Sequence, residues 1–174
     1  MKGVVAIVGR PNVGKSTLFN RLIGERKAIV DDMPGVTRDR NYGTCEWSGR
    51  EFTVIDTGGY LPDTPDIFEK AIREQVKIAI EEADVILFMV DVHDGLHPFD
   101  YDIAQLLRTY HSKKIIIVVN KVDNHVFLQS IHEFYQLGFE NIIPIASNSG
   151  FGVGDLLDEI LQKLPNEDDN KENL

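Results

Sequence analysis

The sequence predicts a three-layer α/β domain, with a mostly parallel six-stranded sheet, one antiparallel edge strand and helices on both faces. Three observations carry this expectation. Short apolar runs rich in β-branched residues alternate with longer stretches of helical periodicity, the pattern of successive strand–helix units. One pair of runs is separated by little more than Ser48-Gly49, a hairpin signal that makes those two strands antiparallel. The chain has 174 residues, 43% hydrophobic and 26% charged, which suits one core rather than two.

The elements follow in order. Val4–Val8 is a β-branched run closed by Gly9; a Gly/Pro/Asn loop comes next, and Lys15–Ile23 carries Leu18, Leu22 and Ile23 at helical spacing. Residues 31–37 contain Pro34 and Gly35 without periodicity and are expected to be loop. Residues 44–47 and 51–55 are the hairpin strands. Gly58-Gly59 and residues 62–65 make a second breaker-rich loop, after which residues 67–82 are amphipathic, with Ile72, Val76 and Ala79 on one face. Residues 85–90, 115–119 and 142–145 are near-continuous apolar strands of the kind buried on both faces. Each leads into a helix-patterned stretch, starting near Pro98, Val126 and Val153, and right-handed crossovers then make the strands parallel. Residues 1–165 are therefore read as the folded domain. Residues 166–174 have no apolar side chain except Leu174 and are expected to be an acidic disordered tail or the start of a linker.

A formal charge of −10 argues against direct nucleic-acid binding by this domain. The single cysteine, Cys45, is too little for an internal disulfide or a Cys-based zinc site and reads as a strand residue. No apolar run approaches the roughly 20 residues of a membrane span, and Met1 leads within three residues into a strand, so a cytoplasmic location without membrane contact is expected. Residues 91–100 hold two His and three Asp, but their spacing lacks a metal pattern and a solvated loop is the expectation.

Three motifs carry chemistry. Gly9-Arg10-Pro11-Asn12-Val13-Gly14-Lys15-Ser16, followed by Thr17, is a G-x-x-x-x-G-K-S placed between strand and helix. Successive backbone N–H groups around Gly14 and the positive end of the following helix can cradle a polyphosphate; Lys15 supplies charge to its β- and γ-phosphates, and the Ser16 hydroxyl suits Mg²⁺. Asp56-Thr57-Gly58-Gly59 ends the strand finishing in Val54-Ile55. Asp56 there can hold Mg²⁺, directly or through water, and Gly59 lets a backbone N–H approach the γ-phosphate. Asn120-Lys121-Val122-Asp123 follows the strand over residues 115–119. A carboxylate can accept both the N1–H and the exocyclic amino group of guanine, a donor pair adenine lacks, so Asp123 specifies the base. Such sites reject analogues by roughly 10⁴-fold or more, because the buried acceptor is otherwise left unpaired. The Asn120 amide can fix the loop and touch the opposite base edge, and the Lys121 stem can lie over the purine face.

These motifs in this order resemble the translation-factor-like branch of GTPases with the P-loop NTPase fold, and together with Pro34-Gly35-Val36-Thr37-Arg38-Asp39 the chain is similar to the first, N-terminal GTPase domain of the Der (EngA) family. The resemblance runs from Val4 to about Pro165. It implies GTP and GDP as ligands with Mg²⁺, and makes Thr37 the switch threonine meeting Mg²⁺ and the γ-phosphate. It also implies a second GTPase domain and a KH-like domain C-terminal to this chain, and a role in assembly of the large ribosomal subunit. The family's guanine loop often reads Ser-Ala-x where this chain has Ala146-Ser147-Asn148, so contacts there are assigned to backbone N–H groups rather than to the Ser147 hydroxyl.

Ras-like GTPases place a water-orienting glutamine where this chain has Tyr60, which is read equally as packing or acting. Slow hydrolysis by Lys15, Thr37 and Gly59 is expected, with a cation neutralising charge on the phosphates. Related GTPases use K⁺ bound by an asparagine at the position of Asn12, which implies K⁺ stimulation; Asn12 read as a plain turn residue is the alternative. Arg38 and Arg40 can offer charge from the same loop or be solvated. Residues 31–42 and 59–68 are expected to respond most to loss of the γ-phosphate. The alternatives are a P-loop ATPase, which leaves Asn120 and Asp123 unexplained, and a nucleotide-regulated scaffold that does not hydrolyse.

Overall fold

The computed structural model describes residues 3–24, 41–58, 65–110 and 114–166. Its strands are β1 (Val4–Val8), β2 (Asn41–Trp47), β3 (Arg50–Asp56), β4 (Val85–Asp91), β5 (Lys114–Asn120) and β6 (Ile142–Pro144). They form one sheet in the order β2-β3-β1-β4-β5-β6, with β2 and β3 antiparallel and every other neighbouring pair parallel. The hairpin turn follows from Ser48 and Gly49, whose φ values of 51° and 79° give two consecutive left-handed residues, the backbone that matches strand twist in a two-residue turn. β2 starts earlier than its apolar pattern suggests. Asn41 and Tyr42 join by ladder pairing with Asp56 and Ile55, and the half-buried Tyr42 ring packs on the core while Asn41 stays exposed.

Period-two alternation in β1 divides the core. Val5 and Ile7 face a cluster with Leu18 and Phe19 of α1 (Lys15–Ile23) and with Leu156 and Ile160 of α4 (Val153–Lys163). Val4, Ala6 and Val8 face the opposite cluster, with Ile72 and Val76 of α2 (Pro65–Glu82) and Ile103 and Leu107 of α3 (Pro98–Arg108). The central strands are thus apolar between their ends, because both of their faces are covered. Cys45 is buried among the first cluster.

The stretch beginning near Val126 differs from an α-helix: His125–Leu137 is a 3-10 helix. Its apolar residues Leu128, Ile131, Phe134 and Leu137 recur every third position, which three residues per turn gather into one row. Phe134 and Leu137 at the end of that row are fully buried. The Asn124 side chain starts this helix by accepting from Val126 N–H, and Gly138 at φ 91° ends it.

Among the described residues no helix is long and apolar enough to cross a membrane. Of the two segments expected to respond to the γ-phosphate, residues 31–40 and 59–64 lie outside the described residues, as does the tail from residue 167.

Candidate functional site

Register gathers the chemistry at one edge of the sheet. Ile7 is level with Asp56, Asp91 with Asn120, and Val119 with Pro144, so the loops leaving β1, β3, β4, β5 and β6 open together at the carboxyl ends of their strands. β1 sits between β3 and β4, where the strand order reverses, the crevice in which open α/β sheets take ligands.

At the β1 end, residues 9–16 wrap the start of α1. Gly14 has φ 103°, and a Cβ on it would lie 2.3 Å from Asn120 Nδ2, so both the backbone angle and the space require glycine. The Lys15 ammonium donates to the carbonyls of Gly9 at 2.6 Å and Arg10 at 3.0 Å. Burial pulls its pKa from 10.5 down to about 8, against the pull of Asp56 and with a smaller push from Arg10. A buried cation short of solvation at a helix N-terminus suits a polyphosphate, whose charge would supply what water no longer does. Ser16 and Thr17 lie exposed in the first turn of α1, where no side chain caps the helix.

Asp56 is buried next to this loop. Its Oδ1 accepts from Gly58 N–H at 3.0 Å, while Oδ2 has no hydrogen-bond partner among the described residues. Burial raises its pKa, opposed by the Gly58 N–H, the Lys15 ammonium and the nearby Ser16 hydroxyl. An unpartnered carboxylate oxygen beside a serine hydroxyl is a donor pair that fits a hard divalent cation. A Cβ on Gly58 would fall 2.3 Å from Lys15 Cε, so this loop closes directly on the lysine. The Thr57 hydroxyl donates to the Ile7 carbonyl at 2.6 Å, tying β3 to β1.

Asn120 links the two ends of the crevice. Its Nδ2 donates to the Val13 carbonyl at 2.8 Å, and its Oδ1 accepts from both the backbone N–H and the hydroxyl of Ser147 at 2.9 Å. One buried amide therefore ties the phosphate loop to the loop of Ala146, Ser147 and Asn148. That second loop is also held by Arg21 of α1, which donates to the carbonyls of Ser147 at 2.6 Å and Asn148 at 2.8 Å. Lys121 sits in a left-handed conformation at φ 66°; its ammonium donates to the Asn12 carbonyl at 3.0 Å and pairs with buried Asp91 at 2.7 Å. Asn12, also left-handed at φ 67°, presents an exposed side chain at the crest of the phosphate loop. Asp123 is half-exposed and borders a hollow of about 420 Å³ lined by Val122, Asn124, Leu128, Ser149 and Phe151. Another hollow, about 340 Å³ between α2 and α3, contains none of these groups.

Arg10, a variable position of the first motif, is buried and reaches across to α3. It bonds Asp94 at 2.8 Å and lies 3.4 Å from Asp100, an ion-pair distance without hydrogen-bond alignment. Asp100 also accepts from His97 N–H in the capping box that starts α3. Residues 91–100 are therefore not a merely solvated loop: two of their carboxylates are buried, and they brace Arg10 and Lys121. No group of three or more His, Cys, Asp or Glu among the described residues is placed to hold a metal. Sequence reasoning gave no role to Arg21, Asp91 or Asp100, because no spacing rule connects residues that meet through different elements. Thr37, Arg38, Arg40, Gly59 and Tyr60 lie outside the described residues.

The sequence model of a family described as 50S ribosome-binding GTPases matches residues 4–121. A protein named GTPase Der from Flavobacterium johnsoniae is 57% identical over 162 residues, covering 93% of this chain and 37% of that protein. The chain thus spans a little over a third of the length of the curated relatives it matches. Among solved structures, an Aquifex aeolicus Era variant bound to GDP·AlF4⁻ is 34% identical with a TM-score of 0.76, over 95% of this chain and 58% of that one. Era in complex with MgGDPNP and nucleotides 1506–1542 of 16S ribosomal RNA is 37% identical with a TM-score of 0.76, over 94% of this chain and 57% of that one. A phosphate loop after β1, a carboxylate at the end of β3 and the Asn120–Asp123 motif after β5, matched over most of the sequence, put this chain in the 50S ribosome-binding GTPase family, as a GTPase domain of the kind found in the proteins named Der.

Proposed function

We propose that this chain binds GTP and GDP with Mg²⁺, hydrolyses GTP slowly, and serves as a nucleotide-dependent switch within a longer Der-like protein. The observation that carries this reading is Asn120, whose single amide bonds Val13 of the phosphate loop and Ser147 of the loop after β6. A ligand that fills both ends must therefore carry phosphates and a base at a fixed separation. Lys15 and the N–H groups around Gly14 would take the phosphates, Asp123 the base edge, and the Lys121 stem one purine face. Ser147 directs both its N–H and its hydroxyl to Asn120, which favours Asn148 N–H as the further base contact of that loop.

Ser16, Asp56 and Thr37 would hold Mg²⁺, which when bound neutralises charge on the β- and γ-phosphates; the unpartnered Asp56 Oδ2 supports that assignment. The related Era complex contains MgGDPNP. With Tyr60 where other GTPases have an orienting amide, the chain's own contribution to hydrolysis is positioning by Lys15, Thr37 and Gly59, and turnover is slow. Asn12 offers an exposed amide oxygen suited to K⁺, so hydrolysis is expected to run faster in KCl than in NaCl at equal ionic strength. Equal rates would remove Asn12 from the catalytic set. The Der relatives are much longer than this chain, which leaves room for the second GTPase domain and the KH-like domain of the proposed whole protein, and the family description supports a large-subunit partner; a cytoplasmic location belongs to the same reading.

The deciding experiment is base selectivity. The chain is expected to bind GDP far more tightly than ADP, and Asp123→Asn to shift preference toward xanthosine diphosphate, whose 2-oxo group can accept from an amide. Equal affinity of the unsubstituted chain for ADP and GDP would overturn the proposal.

A further inference from the structure

Residues 91–100, between β4 and α3, hold two histidines and three aspartates that no sequence motif absorbs. Asp91 pairs with Lys121, Asp94 and Asp100 meet Arg10, and His97 caps α3. His93 instead reaches the base end of the crevice. Its ring lies against Phe127, centroids 4.5 Å apart and planes 21° from parallel. Its Nε2 is 2.8 Å from the Lys121 carbonyl oxygen and 3.3 Å from Asp123 Oδ2. Both neighbours are acceptors, so Nε2 carries the proton whatever the state of Nδ1. The same Lys121 carbonyl accepts from Asp123 N–H at 2.9 Å, and Lys121 is left-handed. That carbonyl is thus the pivot of the turn that aims the Asp123 carboxylate.

We propose that His93 is a positioning residue for base recognition: its Nε2–H donates to the Lys121 carbonyl, the pivot of the turn, and its ring stands beside one Asp123 oxygen, so that the carboxylate faces the N1–H and 2-amino group of guanine together. A carboxylate offers about four lone-pair sites, so an imidazole edge beside one oxygen leaves enough for bidentate acceptance. The ring is set from the far side by Phe127, which belongs to the 3-10 helix following the base loop. The inference rests on Asp123 reading guanine.

Inosine diphosphate, which lacks only the 2-amino group, separates the two ideas. Affinities for GDP and IDP are measured by displacement of a fluorescent GDP from the chain and from two variants. His93→Phe keeps a ring against Phe127 and loses the donor; His93→Gln loses the ring and keeps an N–H. The expected result is that His93→Phe weakens GDP binding about tenfold and IDP binding much less, compressing the GDP-to-IDP preference about fivefold, while His93→Gln restores it to within about twofold. Side-chain packing alone would give the opposite order. An unchanged preference in His93→Phe, tighter GDP binding by it, or equal compression in both variants overturns the proposal. If the unsubstituted chain does not distinguish GDP from IDP, the guanine reading of Asp123 fails first and the role of His93 falls with it.

Discussion

Replacing Lys15 by methionine is expected to make the nucleotide-free chain more stable while abolishing its affinity for nucleotide. The ammonium is buried, and its pKa of about 8 lies below the ordinary 10.5. At about 1.4 kcal/mol per pH unit, that interval makes the charged form roughly 3 kcal/mol less favourable in the fold than in the unfolded chain. Methionine removes this penalty but leaves the Gly9 and Arg10 carbonyls without the ammonium, a loss of about 1 kcal/mol that water at the mouth of the loop can reduce. The net expectation is a gain of about 1–2 kcal/mol at pH 7, a few degrees in Tm for a chain of this size. The pH dependence has a definite sign. Between about 8 and 10.5 the unfolded chain binds more protons at this site than the folded one, so the penalty is complete below pH 8 and fades as pH rises through that window. Urea unfolding of both proteins at pH 7 and pH 9.5 should therefore show the advantage of Lys15→Met shrinking at the higher pH. Adding GDP should stabilise the parent chain and leave the variant unmoved. A variant less stable than its parent at pH 7, or an advantage independent of pH, would refute the argument that the lysine is held under strain for its ligand.

Three further outcomes follow from the same geometry. Asn120→Ala removes the buried bonds to Val13 and Ser147 and should lower stability by about 2–4 kcal/mol in urea, with at least a hundredfold loss of GDP affinity by titration. Arg10→Leu leaves fully buried Asp100 without its cation and should cost about 3 kcal/mol; adding Asp100→Asn, which keeps an acceptor for His97 N–H, should recover at least half in the same assay. Because burial raises the Asp56 pKa, that carboxyl ionises at higher pH than a free one and must lose its proton to meet Mg²⁺. The Mg²⁺-dependent gain in GTP affinity, titrated between pH 4.5 and 7, should therefore decline on acidification before the ordinary carboxylate range is reached; a flat gain would count against Asp56 as a ligand.

The sequence by itself determined the layered sheet, the hairpin, the phosphate loop and the Asn120–Asp123 motif at the end of a strand, because each is written locally. Strand and helix periods, a Ser-Gly turn and contiguous motifs need no knowledge of distant residues. Tertiary structure decided what those motifs lean on. Asn120 is read from sequence as fixing its loop and touching a base edge, and the fold adds that its amide bonds Val13 and Ser147, 107 and 27 residues away along the chain. Arg10, Arg21, Asp91 and His93 acquire their roles from the alignment of strand ends and the helices set behind them. The 3-10 winding of His125–Leu137 belongs with these, since only the end of its three-residue apolar repeat, Phe134 and Leu137, is buried against the core. Local patterns specify an element and its chemistry; which side chains hold that chemistry still depends on register and packing, and those exist once the chain has folded.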